Sequence, residues 1–588
     1  MKISVPNGKG WAEIRESIAA SFQDEIWNLS ITEQGHNISV SGRVMSETIK
    51  ELLQAYFNDL FSEGHISFRV IVESPLSPAT KQPDWNQPQS PQQGGEIVPN
   101  MLTRFPSISA NEPPKIGRLY AFQVDLSDEA DADTVGDTIS IEIDDDNWTV
   151  LTIDVEVQSD QLEFDEGDSR KTIELRSDKT SRSAKFVAMV NEHAALTGDV
   201  SIIVSFSFKD RVRGFGHRRF PLATDAGTAP TSSGASGAIV IDRSSAPSLT
   251  IKIRHSETHT GECVWSFEAP WARNSREASS MPKVQLGVNA HQYFREKFAQ
   301  VRRFTPGKHV GALRGIGEKI WEAAPQEFKD LYASLRKELG PQFPIQIFTN
   351  EPHVPWELMF PDDNAIPGAD HLCMTHPMAR WTQGSNNLVA ILPDGCIASF
   401  VPRYDDEPLA AAVAEGEFLV KELGATEMKA TFDGFRNFLA APEAEKVAIV
   451  HFAGHGAGQN AMAGSQGLRM TDDWFPIEEI NSSVKLGKRD RSFVVLNACE
   501  VGTQTETLGS LHGWPSELIK HGFGAVIAPF WAVQDEHAGT VIKTAISSFY
   551  HQGFSLGRAL TSARQTTAQS SAAAFAYVCY GDVMATMA

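Results

Sequence analysis

The sequence predicts a multidomain protein whose carboxy-terminal half is an α/β domain, with a mostly parallel sheet covered by helices on both faces. From about residue 239 onward, apolar segments such as KVAIVHFAG and RSFVVLNAC alternate with amphipathic segments such as EPLAAAVAEGEFLVKEL. Strands that are apolar on both sides are typical of a parallel sheet between two helix layers. Ahead of this region, short strand-like runs separated by polar turns predict a small α+β module and a β-sandwich.

Residues 1–74 are predicted to form the small α+β module. Apolar residues recur at helical spacing over 11–22 and 49–61, and they alternate as in strands over 38–44 and 66–72. The run HNISVSGRVMSETIKELLQAYF resembles the strand–helix pattern of BON-like domains. That resemblance implies an interaction module and brings no catalytic chemistry with it.

Two linkers and a β-sandwich are predicted next. Residues 75–112 are rich in Pro, Gln, Ser and Asn and are too polar to bury a core, so they are predicted to be a mobile linker. Residues 113–222 contain short strand-like runs such as TVLTIDVEV and VSIIVSFSF, which predict an Ig-like β-sandwich. The acidic run at 144–146 is either a calcium ligand or a solvated turn, and the missing oxygen-ligand pattern around it favours the turn. Residues 223–238, small and polar, are predicted to be a second flexible linker.

Composition argues against nucleic acid and membranes as partners. The net charge is −22, and both nucleic acid and anionic membranes attract basic surfaces. No apolar run approaches the roughly 18 residues that span a bilayer, and the start, MKISVPNGKGW, lacks the apolar core of a secretion signal. The five cysteines are odd in number and scattered. A reducing, cytoplasmic location is therefore expected, where a thiol can stay free for chemistry.

The reactive residues of the carboxy-terminal half follow two apolar strands. The strand VAIVHFAGHG leads to His455, and FVVLNACE leads to Cys499, with room between them for one crossover connection. Ligands of open α/β sheets bind beyond the carboxyl ends of the strands, so the two side chains are expected to face one crevice. There the imidazole can take the thiol proton, and the amides of Gly456 and Cys499 can form an oxyanion hole. The alternative is a buried small cysteine and a core histidine, each common in proteins.

The motifs HFAGHGAG and LNACE, followed by SELIKHGFGAVIAPFWAVQDEHA, resemble the CHAT peptidases, a caspase-related family close to separase. QIFTNEPHVPWELMF is similar to the family's strand ending in Pro-Trp-Glu, and FAYVCYGD is similar to its closing strand. The resemblance covers roughly residues 290–585. It implies a caspase-like fold, with 239–400 as a scaffold half and 401–588 as the catalytic half. It also implies that Cys499 is the nucleophile and His455 the base. No His–Cys pair of the same kind stands out in the sequence of 239–400, so no second active site is expected there.

The resemblance also bears on specificity. In separase-like enzymes an acidic residue after the equivalent strand binds the basic residue before the scissile bond, and the matching position is Asp535. Cleavage after Arg or Lys is therefore expected, since a guanidinium pairs bidentately with a carboxylate. The alternative is that Asp535 caps the helix that follows it. Asp582, in the closing loop, is the rival acid for the same pocket.

The resulting prediction is a cysteine endopeptidase without metal or cofactor, since the Cys and His residues lack zinc-type spacing. Its partners would be protein substrates and a regulatory protein bound by the amino-terminal modules, and the family suggests an effector in bacterial defence or cell death. The expected switch is ordering of the mobile loop after Cys499, so basal activity is expected to stay low until a trigger orders that loop. Other histidines, His451 above all, are expected to be structural. A degenerate scaffold protein is the main alternative; an α/β hydrolase is weaker, because its Ser elbow is missing.

Overall fold

The structure is a computed structural model that describes four stretches of the chain, the last of them with short gaps. These are residues 26–34, 37–44, 65–72 and 100–588, with gaps at 137–138, 144–147, 166, 178–180, 224–245, 273–274, 288, 302–306, 362–365, 383–387, 442–444, 463–464, 500, 503–504, 508–509 and 534. The chain divides into two compact units, Met1–Glu96 with Ser334–Gln342, and Ile97–Ala333 with Phe343–Ala588.

Within Met1–Glu96, the described residues of the first unit form a three-stranded sheet. Its strands are β1 (Ile26–Gln34), β2 (Asn37–Val44) and β3 (His65–Val72). β1 pairs antiparallel with β2, and β2 pairs parallel with β3. β2 and β3 lie where alternation predicts strands, whereas the predicted helices at 11–22 and 49–61 lie outside the described residues.

The second unit begins with two antiparallel sheets packed face to face. Their elements are β4 (Asn100–Ser109), β5 (Leu119–Ser127), β6 (Val135–Gly136), β7 (Ile139–Ile143), β8 (Val150–Gln158), β9 (Leu162–Glu163), β10 (Arg170–Arg176), β11 (Ser181–Arg182), β12 (Ala184–Val190), helix α1 (Ala194–Thr197), β13 (Asp199–Phe208) and β14 (Arg211–Pro221). The strand orders are β11-β10-β8-β13-β14-β6 and β7-β4-β5-β12-β9.

The two sheets share one hydrophobic core, because alternate residues of their strands point inward. On β12 the pattern is strict: Phe186 is buried while Lys185 and Val187 are exposed. β4 lies within residues 75–112, which the sequence predicts to be a linker. The segment forms a strand there because its backbone pairs with β5 and with β7. The acidic run at 144–146 and nearly all of the predicted second linker are outside the described residues.

The rest of the second unit is built on an eleven-stranded sheet and smaller sheets. Its strands are β15 (Leu249–His255), β16 (Glu262–Glu268), β17 (Lys283–Gln285), β18 (Ile345–Thr349), β19 (Met378–Thr382), β20 (Ile391–Leu392), β21 (Cys396–Phe400), β22 (Thr426–Glu427), β23 (Val447–Ala453), β24 (Gly456–Met462), β25 (Ser465–Arg469), β26 (Trp474–Pro476), β27 (Phe493–Asn497), β28 (Thr505–Thr507), β29 (Ser510–His512), β30 (Ala525–Pro529), β31 (Tyr577–Tyr580) and β32 (Thr586–Met587).

The helices of this region connect and cover these strands. They are α2 (Arg276–Ser279), α3 (Ala290–Val301), α4 (His309–Ala323), α5 (Gln326–Leu339), α6 (Leu372–Thr375), α7 (Ala410–Leu423), α8 (Phe432–Leu439), α9 (Leu486–Asp490), α10 (Trp514–Lys520), α11 (Asp535–Tyr550), α12 (Leu556–Thr567) and α13 (Ala573–Ala576), with short 3₁₀ helices at Pro270–Ala272, Trp356–Leu358 and Ile477–Glu479. Among the helices of the described residues, none combines the length and apolar character that crossing a bilayer requires.

The large sheet is mixed and consists mainly of two parallel groups that run in opposite directions. Its order is β17-β16-β15-β18-β19-β31-β30-β27-β23-β21-β22. β15, β18, β19 and β31 are parallel to one another, and so are β30, β27, β23, β21 and β22. The groups meet where β30 pairs antiparallel with β31. The sequence predicts a mostly parallel sheet, but the reversal at β30 and β31 puts the carboxyl ends of the two groups at opposite edges.

Helices cover both faces of the second parallel group. On one face α7, α11 and α12 enclose a core that includes Ile449, Val495 and Ile527. On the other face Phe435 of α8 lies edge-on against Phe400, with ring centroids 4.9 Å apart. This double cover agrees with strands that are apolar on both sides.

The β-sandwich covers one face of the first parallel group, where a helix layer would otherwise lie. Lys252 and Arg254, two residues apart on β15, both face the sandwich. Lys252 Nζ lies 3.1 Å from the Glu156 carboxylate, and Arg254 pairs with Asp160 at 2.9 Å. The contact between the two sheets is therefore polar, buried and rich in ion pairs.

Candidate functional site

The two strands that lead to the predicted reactive residues are neighbours. β23 and β27 pair in parallel, with Ile449 opposite Phe493 and Ala453 opposite Asn497. His455 follows Ala453, and Cys499 follows Asn497, by two residues each. The predicted adjacency of these strand ends is thus found in the structure.

The loops that carry His455 and Cys499 are in direct contact. The Gly454 amide donates to the Asn497 carbonyl at 3.1 Å. A Cβ atom placed on Gly456 would lie 2.8 Å from the Cys499 carbonyl oxygen and 2.9 Å from the Cβ of Ala498. Glycine at 456 is therefore needed for close approach, and it brings together the two backbone segments whose amides are the predicted oxyanion hole.

With Cys499 as the predicted nucleophile, replacing Gly456 with alanine is expected to lower kcat for peptide cleavage by about 100-fold, because the new methyl group must push the Cys499 backbone out of place and small misplacements of reacting groups are costly. The measurement is kcat for the purified variant, with folding checked by thermal unfolding. Gly311→Ala is the control, because Gly311 is exposed on the helix α4, nothing lies within 4 Å of a Cβ there, and alanine suits a helical backbone. Wild-type kcat in Gly456→Ala would show that the two loops adjust freely.

The imidazole of His455 is anchored through one nitrogen. Its Nε2 lies 3.0 Å from the Glu407 carbonyl oxygen, and the Glu407 carboxylate is 3.7 Å away. A carbonyl oxygen only accepts, so Nε2 carries the proton of the neutral ring and Nδ1 is left as the proton acceptor. Sequence reasoning missed Glu407, because this contact joins segments distant in the chain.

Tyr404 holds the backbone on which His455 sits. Its hydroxyl accepts from the His455 amide at 3.2 Å and donates to the Arg469 carbonyl at 2.6 Å. The rings of Tyr404 and His455 lie 4.8 Å apart. Burial raises the pKa of Tyr404 to about 12, so the hydroxyl stays protonated and keeps donating at neutral pH. Arg469 covers the ring and pairs with Asp406 at 2.6 Å.

The thiol of Cys499 is half-buried and lies close to the loop after β30. Its Sγ is 3.9 Å from the Val533 carbonyl oxygen. All five cysteines are free, and Cys263, Cys373 and Cys579 are buried in the core. Burial raises the pKa of Cys373 and that of Cys579 to about 12 each, which keeps both thiols protonated and inert.

The two acidic candidates for substrate binding lie at different places. Asp535 is the first residue of α11, two residues after Val533, and so follows the loop that Cys499 contacts. Asp582 follows β31, whose Tyr580 pairs with Val526 at the amino end of β30. Cys499 lies beyond the carboxyl ends of that parallel group. Asp582 is therefore at the opposite edge of the sheet, 1% exposed and ion-paired with Arg211 of the β-sandwich.

Histidines and motif residues outside the pair have structural contacts. His451 is fully buried, and His521 bonds through Nδ1 to the Glu517 carbonyl at 2.9 Å, at the end of α10. In the Pro-Trp-Glu motif Trp356 is fully buried, and Glu357 accepts from Arg380 Nε at 2.7 Å. Arg380 in turn lies over the rings of Phe530 and Tyr580, near the junction between the two parallel groups. The segment after Cys499, predicted to be a mobile loop, contains the β28–β29 hairpin.

The first parallel group carries a His–Cys pair that the sequence did not predict. His255 Nδ1 is 3.8 Å from Cys263 Sγ, and His255 Nε2 is 2.7 Å from the Glu351 carboxylate. Within the described ranges, these three side chains are a group that could hold a metal ion. However, the three groups already pair with one another, and Glu351 also accepts from the His353 amide at 2.7 Å. Burial raises the pKa of the Cys263 thiol, with Glu351 and Glu262 adding to it, so this pair is not a second nucleophilic site.

Comparison with protein-family models gives a match over the region that holds this site. Residues 354–581 match the sequence model of the CHAT domain family. No curated protein matches the chain. Among solved structures, the Porphyromonas gingivalis RgpB complex of pro- and mature domains is similar with a TM-score of 0.32 and 10% identity, over 48% of this chain and 78% of that chain. The Saccharomyces cerevisiae separase–securin complex gives a TM-score of 0.33 and 11% identity, over 58% and 30%.

Proposed function

Because this chain carries a CHAT domain over residues 354–581, we propose that it is a caspase-like cysteine endopeptidase with Cys499 as nucleophile and His455 as base. One observation carries the proposal. The His455 and Cys499 loops meet at the carboxyl ends of neighbouring parallel strands, where Gly456 packs on the Cys499 backbone and Glu407 anchors the far nitrogen of His455.

The proposed reaction needs two side chains and two backbone amides of this chain, the substrate and one water molecule. His455 Nδ1 takes the proton of Cys499 Sγ, and the thiolate attacks the carbonyl carbon of the scissile peptide bond. The amides of Gly456 and Cys499 would stabilise the negative oxygen of the tetrahedral intermediate. The His455 imidazolium then protonates the leaving amine, and a thioester remains on Cys499. Finally His455 deprotonates a water molecule that hydrolyses the thioester and releases the free thiol.

We assign the preference for Arg or Lys before the scissile bond to Asp535. The position supports this, because the loop between β30 and α11 contacts the Cys499 thiol through Val533. A substrate guanidinium would offer a carboxylate there two parallel hydrogen bonds. Asp582 is left out of the pocket, since a substrate could reach it only by displacing Arg211 at the other edge of the sheet.

The test is a peptide-library cleavage profile, read by mass spectrometry, of the wild type and Cys499→Ala. We expect the wild type to cut after Arg and Lys and Cys499→Ala to cut nothing. Sequencing of accumulated products suits an enzyme whose basal activity is predicted to be low. If Cys499→Ala equals the wild type in every functional assay, the chain is a scaffold protein with a degenerate site.

Asp535→Asn is expected to lower kcat/KM for Arg and Lys substrates by about 100-fold, because the substrate cation loses its charged partner. Asparagine starts a helix as well as aspartate does, so this variant separates substrate binding from helix capping. The measurement is the library profile repeated on the variant. Asp433→Ala is the control, since Asp433 is exposed on α8 and pairs with Arg436. An unchanged basic preference in Asp535→Asn would assign specificity to another residue.

The remaining parts of the proposal concern context. Cytoplasmic location, an effector role in defence or cell death, and a regulatory partner bound by the amino-terminal modules stay predictions from the sequence. The ion pairs of Lys252 and Arg254 with the β-sandwich support the prediction of a regulatory partner. Through them, a partner bound to the sandwich would shift the large sheet that carries the site.

A further inference from the structure

A chain of five buried polar side chains runs across the sheet behind the site. His451 Nδ1 lies 2.9 Å from Ser399 Oγ, and His451 Nε2 lies 2.7 Å from Glu415 Oε1. The other carboxylate oxygen, Oε2, accepts from Asn497 Nδ2 at 2.7 Å, and Tyr577 donates to Asn497 Oδ1 at 2.6 Å. None of the five is more than 6% exposed.

Glu415 is the centre of this network. With a carboxylate at 415, each oxygen has one donor, Asn497 uses both of its amide atoms, and every bond has one donor and one acceptor. Burying a carboxylate is costly, and apolar residues of similar volume can fill such a position at less cost. The network is therefore not explained by packing alone.

Glu415 also touches the elements that carry the proposed site. His451 lies on β23, four residues before His455 in the loop that follows. Asn497 is the last residue of β27, two residues before Cys499. Glu415 itself lies on α7, which follows the segment where Glu407 contacts His455. A Cβ atom on Gly539 of α11 would lie 3.0 Å from Glu415 Oε2, so the helix that begins at Asp535 packs on the same carboxylate.

We propose that Glu415 is a positioning residue that fixes the relative placement of the two strand ends, and with them His455 and Cys499. It acts through His451 on one strand and through Asn497 on the other, while the Tyr577 hydroxyl orients the Asn497 amide. This inference rests on the proposed function, because it names what holds the proposed catalytic pair in register.

The central test is a pair of variants that first breaks and then restores the donor–acceptor pattern. In Glu415→Gln one acceptor oxygen is lost. When the glutamine accepts from His451 Nε2, it presents an NH₂ group to the Asn497 NH₂, so two donors face each other; when it accepts from Asn497 instead, His451 must move its proton from Nε2 to Nδ1. Adding Asn497→Asp restores the pattern, since the carboxylate introduced at 497 accepts both from the amide introduced at 415 and from Tyr577. We expect kcat of Glu415→Gln to fall about 100-fold with KM within about twofold, and the double variant to recover to within about threefold of wild type.

A matched control separates positioning from stability. Tyr577→Phe removes the hydroxyl that bonds Asn497, whereas Tyr332→Phe removes a hydroxyl that lies 2.9 Å from His376 Nε2. Both tyrosines are fully buried, so the two variants should lose similar thermal stability. Only Tyr577→Phe is expected to lower kcat, by about 10-fold.

A second readout needs no substrate. Iodoacetamide labelling at pH 7, resolved by peptide mass spectrometry, reports how well His455 takes the proton of Cys499. We expect labelling of Cys499 to slow about 10-fold in Glu415→Gln and to recover in the double variant. Labelling of the half-buried Cys396, whose thiol pKa burial raises, is the internal reference and should not change.

The outcomes distinguish this inference from the proposed function. If the wild type cleaves no peptide, the protease proposal fails and the labelling rates still decide the role of Glu415. Wild-type labelling and kcat in Glu415→Gln, or a double variant no better than Glu415→Gln, would reduce the network to a structural role.

Discussion

Cys499→Ala is expected to lower kcat/KM for peptide cleavage by about 10⁴-fold or more, because no other thiol can replace the nucleophile at the paired strand ends. His455→Ala is expected to cost about 10² to 10⁴-fold, the usual range for losing a general acid–base group. The smaller loss reflects the slow attack that Cys499 can still make without its base. Combining both changes should cost little more than Cys499→Ala alone, since the two groups act as one unit.

Two control variants keep the comparison specific. Cys396→Ala removes the other half-buried thiol, and His521→Ala removes a histidine that only ends α10. Both should retain wild-type kcat/KM, measured on the best library peptide. If Cys396→Ala lost as much kcat/KM as Cys499→Ala, or His521→Ala as much as His455→Ala, the loss would reflect damage to the fold. Such a result would contradict the assignment.

Glu156→Ala is expected to lower the free energy of unfolding of the second unit by about 3 kcal/mol, since it takes one carboxylate from Arg170 and Lys252 and leaves Lys252 with the Glu268 carboxylate alone. Glu156 is 5% exposed and lies 2.6 Å from Arg170 and 3.1 Å from Lys252. Urea unfolding followed by the fluorescence of the buried tryptophans measures the change. Glu174→Ala, which breaks a half-exposed pair with Arg176, should cost about 1 kcal/mol or less.

The same carboxylate predicts an acid-sensitive part of the stability. Burial alone would raise the pKa of Glu156, but Arg170 and Lys252 lower it from 4.5 to about 2. Between about pH 2 and pH 4.5 the unfolded chain therefore binds more protons at this residue than the folded protein does. The contribution, about 3 kcal/mol, is complete above about pH 4.5 and is lost as the pH falls toward 2. The free energy of unfolding of the wild type should therefore rise between about pH 2 and pH 4.5, and that of Glu156→Ala should rise less by this amount. An equal pH dependence in the two proteins would contradict the interpretation.

The placement of His455 and Cys499 just after two neighbouring strands could be predicted from the sequence because its signals are local. Apolar runs mark β23 and β27, and the residues just after each run must lie near a strand end whatever the rest of the chain does. The same reasoning fails for Asp582. Its position depends on β31 running against β30, and a short apolar strand carries no signal for its direction.

The supports of the site could not be predicted for a similar reason. Glu407, Tyr404 and Glu415 contact residues about 35 to 80 positions away in the chain, through one or two hydrogen bonds each, and these bonds have no sequence pattern of their own. Glu415 in particular lies on a helix whose apolar spacing predicts burial of its neighbours. Only the packing of α7 on β23 and β27 shows what that carboxylate contacts.

Local patterns in the amino-acid chain are enough to locate the strands and helices of the carboxy-terminal half and the residues beyond its key strand ends, because periodicity and glycine placement act over a few residues. The order and direction of the strands emerge only in the folded protein. Folding separates Asp535 from Asp582, brings Lys252 and Arg254 against the β-sandwich, and gathers five buried polar groups behind the site. Such arrangements depend on contacts between distant segments, whose free energies no local pattern records.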